Sequence, residues 1–389
     1  MTVDEGMIAP ATLTVDLNAL AANFRTLEAV GGAPVHPVVK ADAYGLGAAA
    51  CAKRLMAEGA RTFFVARTRE GEQLRAALGT EAAIYVLDGC AVGRAARLRT
   101  ADLRPVLNTD AQLADWRAAG GGRCGVQIDT GMNRLGFRPG DTPEPFEGLD
   151  LVLSHLACAD DPAEPMNARQ RDAFAAAAAR YPGAVRSFAN SGGVFLGRAY
   201  LFDASRPGIC LYGGGPEGRP DDRIRPVATL EAEVLQVRDV PAGETVGYSR
   251  QFTATSATRI ATCATGYADG VLRSYSPAGQ VFVGGELRPI VGRVSMDVCA
   301  VDVTGLDVTV GDTVELFGSN RMLDEAAKAA GTLAYELLTS ITARVPRNYI
   351  GRTDQRASLT TTPPFTTTGT VSSIRTSASG SPATAIRSP

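Results

Sequence analysis

The stretch VVKADAYGLG, residues 38–47, ends an apolar run on Lys40 and follows it at once with an acid, a phenol and two glycines. A lysine partly withdrawn from water has a lowered pKa, and its free amine can condense with an aldehyde to a Schiff base. Other polar side chains sit in similar places, just after apolar runs. Arg134 follows QIDTG, His155 ends LVLSH, Ser191 follows RSFAN, and Arg206 lies in ASRPGI beside Gly208. Taken singly, each has a plainer reading. A lysine at a strand end snorkels to water, a loop arginine is solvated, and a histidine such as His155 can sit in a core donating to a carbonyl. Their common placement makes them a set.

Bringing that set to one mouth requires a scaffold. From about residue 12 to 228, the runs VHPVVKA, TFFVA, AIYVLD, LRPVLN, CGVQIDT, LDLVLSHLA, VRSFANS and LFDASRPGI alternate with Ala- and Arg-rich helical stretches such as RQRDAFAAAAARY. This is the βαβα pattern of a parallel sheet. Eight such runs, with no glycine fingerprint after the first, predict a closed N-terminal (β/α)8 TIM-like barrel over residues 1–228 rather than an open doubly wound sheet. Active-site residues of such barrels sit at the C-terminal ends of the strands, where Lys40, Arg134, His155, Ser191 and Arg206 all fall. After LYGGGPEGRPDDRIRP the texture changes to short alternating runs around Gly and Pro turns, which predicts a C-terminal mainly β domain over 229–355. Residues 356–389 are dominated by Thr, Ser, Pro, Gly and Ala and read as a disordered tail, too poor in large apolar side chains to offset its ordering entropy.

A phosphate-bearing aldehyde would need neutral donors at the same mouth. The sequence offers the Tyr44 hydroxyl, the Ser191 hydroxyl in NSGG, and backbone N–H groups around PGI, where Gly208 lets the chain approach closely. Beside Lys40, these donors point to pyridoxal 5'-phosphate as the cofactor.

Bulk composition restricts the partners. The 389 residues are 45% apolar and 21% charged with a formal net charge of −2, so a core can form and no strong field favours nucleic acid or an anionic membrane. The expected partners are small molecules and copies of the chain itself. Seven cysteines are scattered singly with no CxxC pair, and His36 and His155 are the only imidazoles, which argues against a zinc site or a disulfide framework. The start MTVDEGMIAPATLTVD carries two acids and no basic, then apolar, leader, and no stretch approaches the roughly 18 apolar residues of a spanning helix. The expectation is a cytoplasmic, reduced protein.

Up to about residue 350 the chain resembles the alanine racemases, fold-type III pyridoxal phosphate enzymes. Five blocks carry the resemblance: VVKADAYGLG (38–47), IDTGMNRLGF (128–137), NSGG with RPGICLYG (190–193, 206–213), GYADG (266–270) and GRVSMD (292–297). The resemblance implies an α/β barrel, a C-terminal β domain, and a homodimer in which the second domain of one subunit completes the other's site. It makes Lys40 the cofactor anchor and the base for the D enantiomer, and Tyr267 of the partner subunit the base for the L enantiomer. Inverting a carbon requires acid/base groups on both faces, so such a pair is chemically necessary. A tyrosine is a poor base at its ordinary pKa of about 10. The resemblance places His155 between Tyr267 and Arg206 as a relay and turns Arg206 toward the pyridine nitrogen. Arg134 would bind the cofactor's phenolic oxygen and the substrate carboxylate, with the Met296 backbone N–H as second contact and Asp297 at the edge. Tyr44, Ser191, Gly208 and Ile209 would hold the phosphate. Asp42 and Asp269, inside matched blocks, read equally well as turn residues.

Two positions depart from the family pattern. Gln127 stands where many members carry a carbamylated lysine that braces the active-site arginine; a glutamine brings no charge but can accept a hydrogen bond from Arg134. Ala343, just before RVPR, stands where many carry a tyrosine, which predicts a roomier pocket that admits serine alongside alanine. The competing readings are a broader small-amino-acid racemase, a fold-type III amino-acid decarboxylase, a non-catalytic cofactor carrier and a cofactor-free barrel enzyme. The decarboxylase would show a different C-terminal constellation from GYADG and VSMD, and the carrier would lack the second domain with its Tyr267.

Overall fold

The structure, a computed structural model, describes residues 9–351 except residue 92. The expected tail at 356–389 and the first residues of the chain lie outside the described part.

Six parallel strands form in chain order: Thr62–Val65, Ala83–Val86, Arg104–Leu107, Cys124–Gln127, Leu149–Leu153 and Val185–Ser187. All are short, the first two rich in β-branched and aromatic residues, and most of their residues are buried, as strands covered on both faces must be. The remaining two runs close the ring through parallel bridges alone, Val38 to Phe64, Val35 to Ser205 and Ala204 to Ser187. Pro37 and Pro207 lack the N–H groups that would extend these bridges into ladders. The expected TIM-like barrel is therefore present, with its first and last members reduced to single contacts. Helices such as Thr68–Leu78, Asp110–Ala118 and Pro165–Ala178 connect the strands.

The second sheet has the order Thr258–Cys263, Cys299–Asp302, Glu286–Val291, Gln280–Val283, Thr313–Phe317, Ala228–Val240, Ala11–Asp16, Arg347–Ile350. Thr258–Cys263 also pairs with the far half of the 13-residue strand Ala228–Val240, so six antiparallel strands close on themselves. The chain's first strand, Ala11–Asp16, joins this sheet rather than the barrel. It pairs antiparallel with Ala228–Val240 and parallel with Arg347–Ile350, alternating buried and half-buried residues. Asp16 then caps the helix Leu17–Gly31 by accepting the Asn18 and Ala19 N–H groups at 2.8 and 3.0 Å. One continuous apolar core, with Phe24, Phe63, Phe174, Phe188, Tyr212 and Phe317 fully buried, packs both sheets. Among the described residues no helix is long and apolar enough to cross a membrane.

Candidate active site

Lys40 does not close a regular strand. It opens a turn in which Ala41, Asp42, Ala43 and Tyr44 all take left-handed backbone angles, with φ of 52°, 55°, 53° and 58°. Left-handed helical residues other than glycine cost roughly 1–2 kcal/mol each, so the surroundings must hold this turn in place. Glu70, in the first turn of the helix Thr68–Leu78, accepts the Ala41 N–H at 2.9 Å through one oxygen and the Ala66 and Arg67 N–H groups at 2.8 and 3.0 Å through the other. The Asp42 carboxylate accepts the Ala48 N–H at 2.7 Å, a turn role. From the far end of the chain, Arg347 donates to the Gly45 carbonyl and the Tyr349 hydroxyl to the Leu46 carbonyl, each at 3.0 Å. Gly47 is required here: a Cβ at that position would lie 1.9 Å from the Tyr349 hydroxyl.

Lys40 is half-buried, and its pKa is lowered first by burial and then by the Arg134 charge, with Glu70 opposing. Arg134 stands exposed in the loop 128–137, beyond a turn in which Asp129 accepts the Gly131 and Asn133 N–H groups at 3.0 Å each. His155 follows the strand Leu149–Leu153. Its pKa is lowered to about 3 by burial, then by the charges of Arg206, Arg134 and Lys40, so the ring is neutral. Arg206 is buried and has no carboxylate partner among the described residues. It donates to the Ser187 hydroxyl at 2.7 Å and to the Ser154 carbonyl, over the Phe64 ring. Burial lowers its pKa to about 9, which still leaves it cationic at neutral pH.

At one side of this group the Ser191 hydroxyl accepts the Gly208 and Cys210 N–H groups at 3.0 and 3.2 Å, keeping its own proton to donate. The Tyr44 hydroxyl lies against Gly208, where an added Cβ would come within 2.1 Å of it. The Tyr44 and Ser191 hydroxyls and the adjoining backbone at Ile209 are thus brought together as a cradle of neutral polar groups that fits a phosphate group, with Gly208, whose own N–H is taken up by Ser191, giving the close approach. The Tyr44 ring packs 4.8 Å from Tyr212 and 5.9 Å from Tyr335.

Tyr267, Met296 and Asp297 lie apart from this group, on two turns of the second sheet. The Tyr267 N–H donates to the Ser295 carbonyl at 3.0 Å and the Ala268 N–H to the Met296 carbonyl at 2.9 Å, lacing the turns together. The side chains of Tyr267 and Met296 are 43% and 53% exposed, so both face away from their own chain's core. Asp269 is a turn residue, accepting the Gly266 N–H at 2.9 Å. Among the described residues no hydrogen bond joins Tyr267 to His155 or Arg206 within one chain.

One expectation is corrected. Gln127 is buried beneath the Arg134 loop, but its amide donates to the Leu135 carbonyl at 2.8 Å rather than accepting from Arg134. The brace acts on the backbone of the loop, and the Arg134 side chain itself is exposed. Three functional candidates escaped the sequence reading: Glu70, which holds the lysine turn, Ser187, which accepts from Arg206, and Arg344, which pairs with Asp269 and Asp297. Only Glu70 left a signal, as a glutamate in the first turn of a helix that follows a strand.

Residues 15–216 match the family described as alanine racemase, N-terminal domain, and residues 227–349 the one described as alanine racemase, C-terminal domain. An alanine racemase of Cereibacter sphaeroides is 46% identical over 350 residues, covering 88% of this chain and 99% of the relative. A biosynthetic alanine racemase of Agrobacterium fabrum is 42% identical over 370 residues, covering 88% of this chain and 94% of the relative. The crystal structure of alanine racemase from Bartonella henselae with covalently bound pyridoxal phosphate superposes with a TM-score of 0.83 at 38% identity, covering 88% of this chain and all of that one. With both domains matched in order and the cradle and lysine turn present, the chain belongs to the alanine racemase family.

Proposed function

We propose that the chain is a pyridoxal phosphate-dependent racemase that interconverts L- and D-alanine with two acid/base groups, one from each subunit of a homodimer. The observation that carries the reading is the gathering of Lys40, Arg134, His155 and Arg206 beside a cradle of neutral donors. When bound, pyridoxal phosphate acidifies the α-proton of an attached amino acid by drawing electrons into its ring.

The protein's residues do the rest. Tyr44, Ser191, Gly208 and Ile209 hold the phosphate without a formal charge, and the cations of the site compensate its charge from a distance. Lys40 anchors the cofactor through its amine, which burial and Arg134 keep easily deprotonated. The same amine moves the α-proton on the face presented by the D enantiomer. Tyr267 of the partner subunit moves the proton on the opposite face, and the exposure of the Tyr267 side chain on a braced turn supports its use in trans. Arg206 faces the ring nitrogen as a donor that keeps its proton, which limits electron withdrawal and the side reactions that follow from it. A neutral His155 can pass a proton between Arg206's surroundings and the phenol. Arg134 and the Met296 N–H bind the substrate carboxylate, with Asp297 at the rim. A division into a barrel and a β domain near residue 228 belongs to the same reading and is supported by the start of the strand Ala228–Val240 there, with Ala11–Asp16 counted to the β domain by its pairing. A cytoplasmic role in supplying D-alanine for peptidoglycan belongs to the same reading, supported by the relative named biosynthetic.

Ala343 is exposed where the family pattern expects a tyrosine, which favours serine as a second substrate. The test of the main reading uses two variants. Lys40→Ala should remove the borohydride-sensitive visible band of the cofactor-loaded protein. Tyr267→Phe should keep that band and abolish racemisation while D-alanine still exchanges its α-proton with solvent. A visible band unaffected in Lys40→Ala, or equal loss of exchange and racemisation in Tyr267→Phe, would refute the two assignments respectively.

A further inference from the structure

Arg344 holds two aspartates of different motifs with one guanidinium. Its Nη1 donates to Asp297 Oδ1 at 2.6 Å, and its Nε lies 3.1 Å from Asp269 Oδ1. Asp269 belongs to the turn that carries Tyr267, and Asp297 to the turn that carries Met296. Arg344 comes from a third segment, which is itself fastened to the first turn. The Thr342 N–H donates to the Asp269 carbonyl at 3.2 Å, and its hydroxyl to the Ala268 carbonyl at 2.8 Å.

The physical consequence depends on charge. Asp269 is buried, with its second oxygen on the Gly266 N–H, whereas Asp297 is largely exposed at the outer tip of its turn. Without the guanidinium the two carboxylates would repel across the gap it now fills, and the exposed one is free to swing away. The Arg344–Asp297 pair is half-exposed on both sides and such a pair adds little to global stability, so its contribution is to geometry rather than to folding. Among the described residues no hydrogen bond takes up the Met296 N–H, which leaves that donor available at a position set by the same turn.

We propose that Arg344 is a positioning residue that fixes the Met296–Asp297 turn against the Tyr267 turn, so that phenol and backbone donor reach the neighbouring subunit's site at one spacing. The proposal rests on the assignment of Tyr267 given above and adds a residue to it.

The experiment compares the cofactor-loaded dimers of the unaltered protein, Arg344→Ala and Arg344→Lys. It measures racemisation in both directions, KM for alanine, and exchange of the D-alanine α-proton with solvent deuterium. Arg344→Ala should lose racemisation by about tenfold or more and raise KM, through displacement of the opposing group, while exchange from D-alanine stays within about twofold. Arg344→Lys should recover part of the loss, since it restores the charge without the fork. Racemisation within about twofold of the unaltered protein in Arg344→Ala, or equal loss of racemisation and exchange in both variants, would overturn the proposal. Tyr267→Phe separates the two readings: if it racemises normally, the assignment of Tyr267 fails, whatever Arg344→Ala does.

Discussion

Arg206 and Ser187 are joined at 2.7 Å inside the barrel, and the Ser187 hydroxyl passes its own proton on to the Ala204 carbonyl at 2.9 Å. The serine thus accepts from a buried cation and is fixed by the neighbouring strand. Replacing it with alanine leaves a guanidinium N–H unpaired in a dry environment, a cost of about 1–3 kcal/mol. Ser187→Ala should lower the melting temperature and, under the proposed role of Arg206 at the cofactor ring, reduce kcat by about tenfold with little change in KM. Steady-state kinetics and thermal unfolding of the same preparation check both. A change in KM alone would contradict it.

Glu70 ties the left-handed turn after Lys40 to the following strand–helix junction with three backbone bonds. Glu70→Ala should destabilise the fold by about 1 kcal/mol, since the half-buried Ala66 N–H loses its acceptor while the exposed Ala41 and Arg67 N–H groups turn to water. Glu70→Gln keeps an acceptor oxygen but removes a charge that raises the Lys40 pKa. The amine then loses its proton at lower pH, so the pH profile for uptake of pyridoxal phosphate by the cofactor-free protein should shift toward acid. An unchanged profile would show that Glu70 does not act on the amine.

His36 and His155 are the chain's two histidines, and both have lowered pKa values, to about 4 and about 3, chiefly through burial. Unfolding restores the ordinary value near 6.5, so below that pH the unfolded chain binds protons that the folded one refuses. Stability is therefore full above about pH 6.5 and falls as the pH drops toward 4, by at most about 1.4 kcal/mol per pH unit for each histidine. His36 stacks on Phe64, and its Nδ1 has no hydrogen-bond partner among the described residues. His36→Phe should weaken the acid dependence without touching the site's mouth, which denaturant titrations of the cofactor-free protein between pH 4 and 7 can measure.

Ala343 sits just before Arg344 and is exposed. Introducing tyrosine adds bulk there. Ala343→Tyr should lower kcat/KM for serine relative to alanine by about tenfold, the size of discrimination a change of a few atoms in a pocket supports. Strict alanine preference in the unaltered protein would refute the roomier pocket.

The sequence alone determined what depends on local pattern. Short buried runs spaced by helical stretches specify parallel strands, and the end of one of them, Leu149–Leu153, specifies where His155 stands. The glycines of VVKADAYGLG and PGI mark the close approaches that Tyr349 and Tyr44 make to them. Tertiary structure decided what depends on distant segments meeting. Ala11–Asp16 alternates equally well for either sheet, and only its pairing with Ala228–Val240 and Arg347–Ile350 assigns it to the second. The left-handed turn after Lys40 contradicts the preferences of Ala41 and Ala43 and exists because Glu70, Arg347 and Tyr349 hold it. Ser187 and Arg344 look like ordinary polar residues in sequence. Each gains its role from a charge that only the folded chain brings within hydrogen-bonding distance.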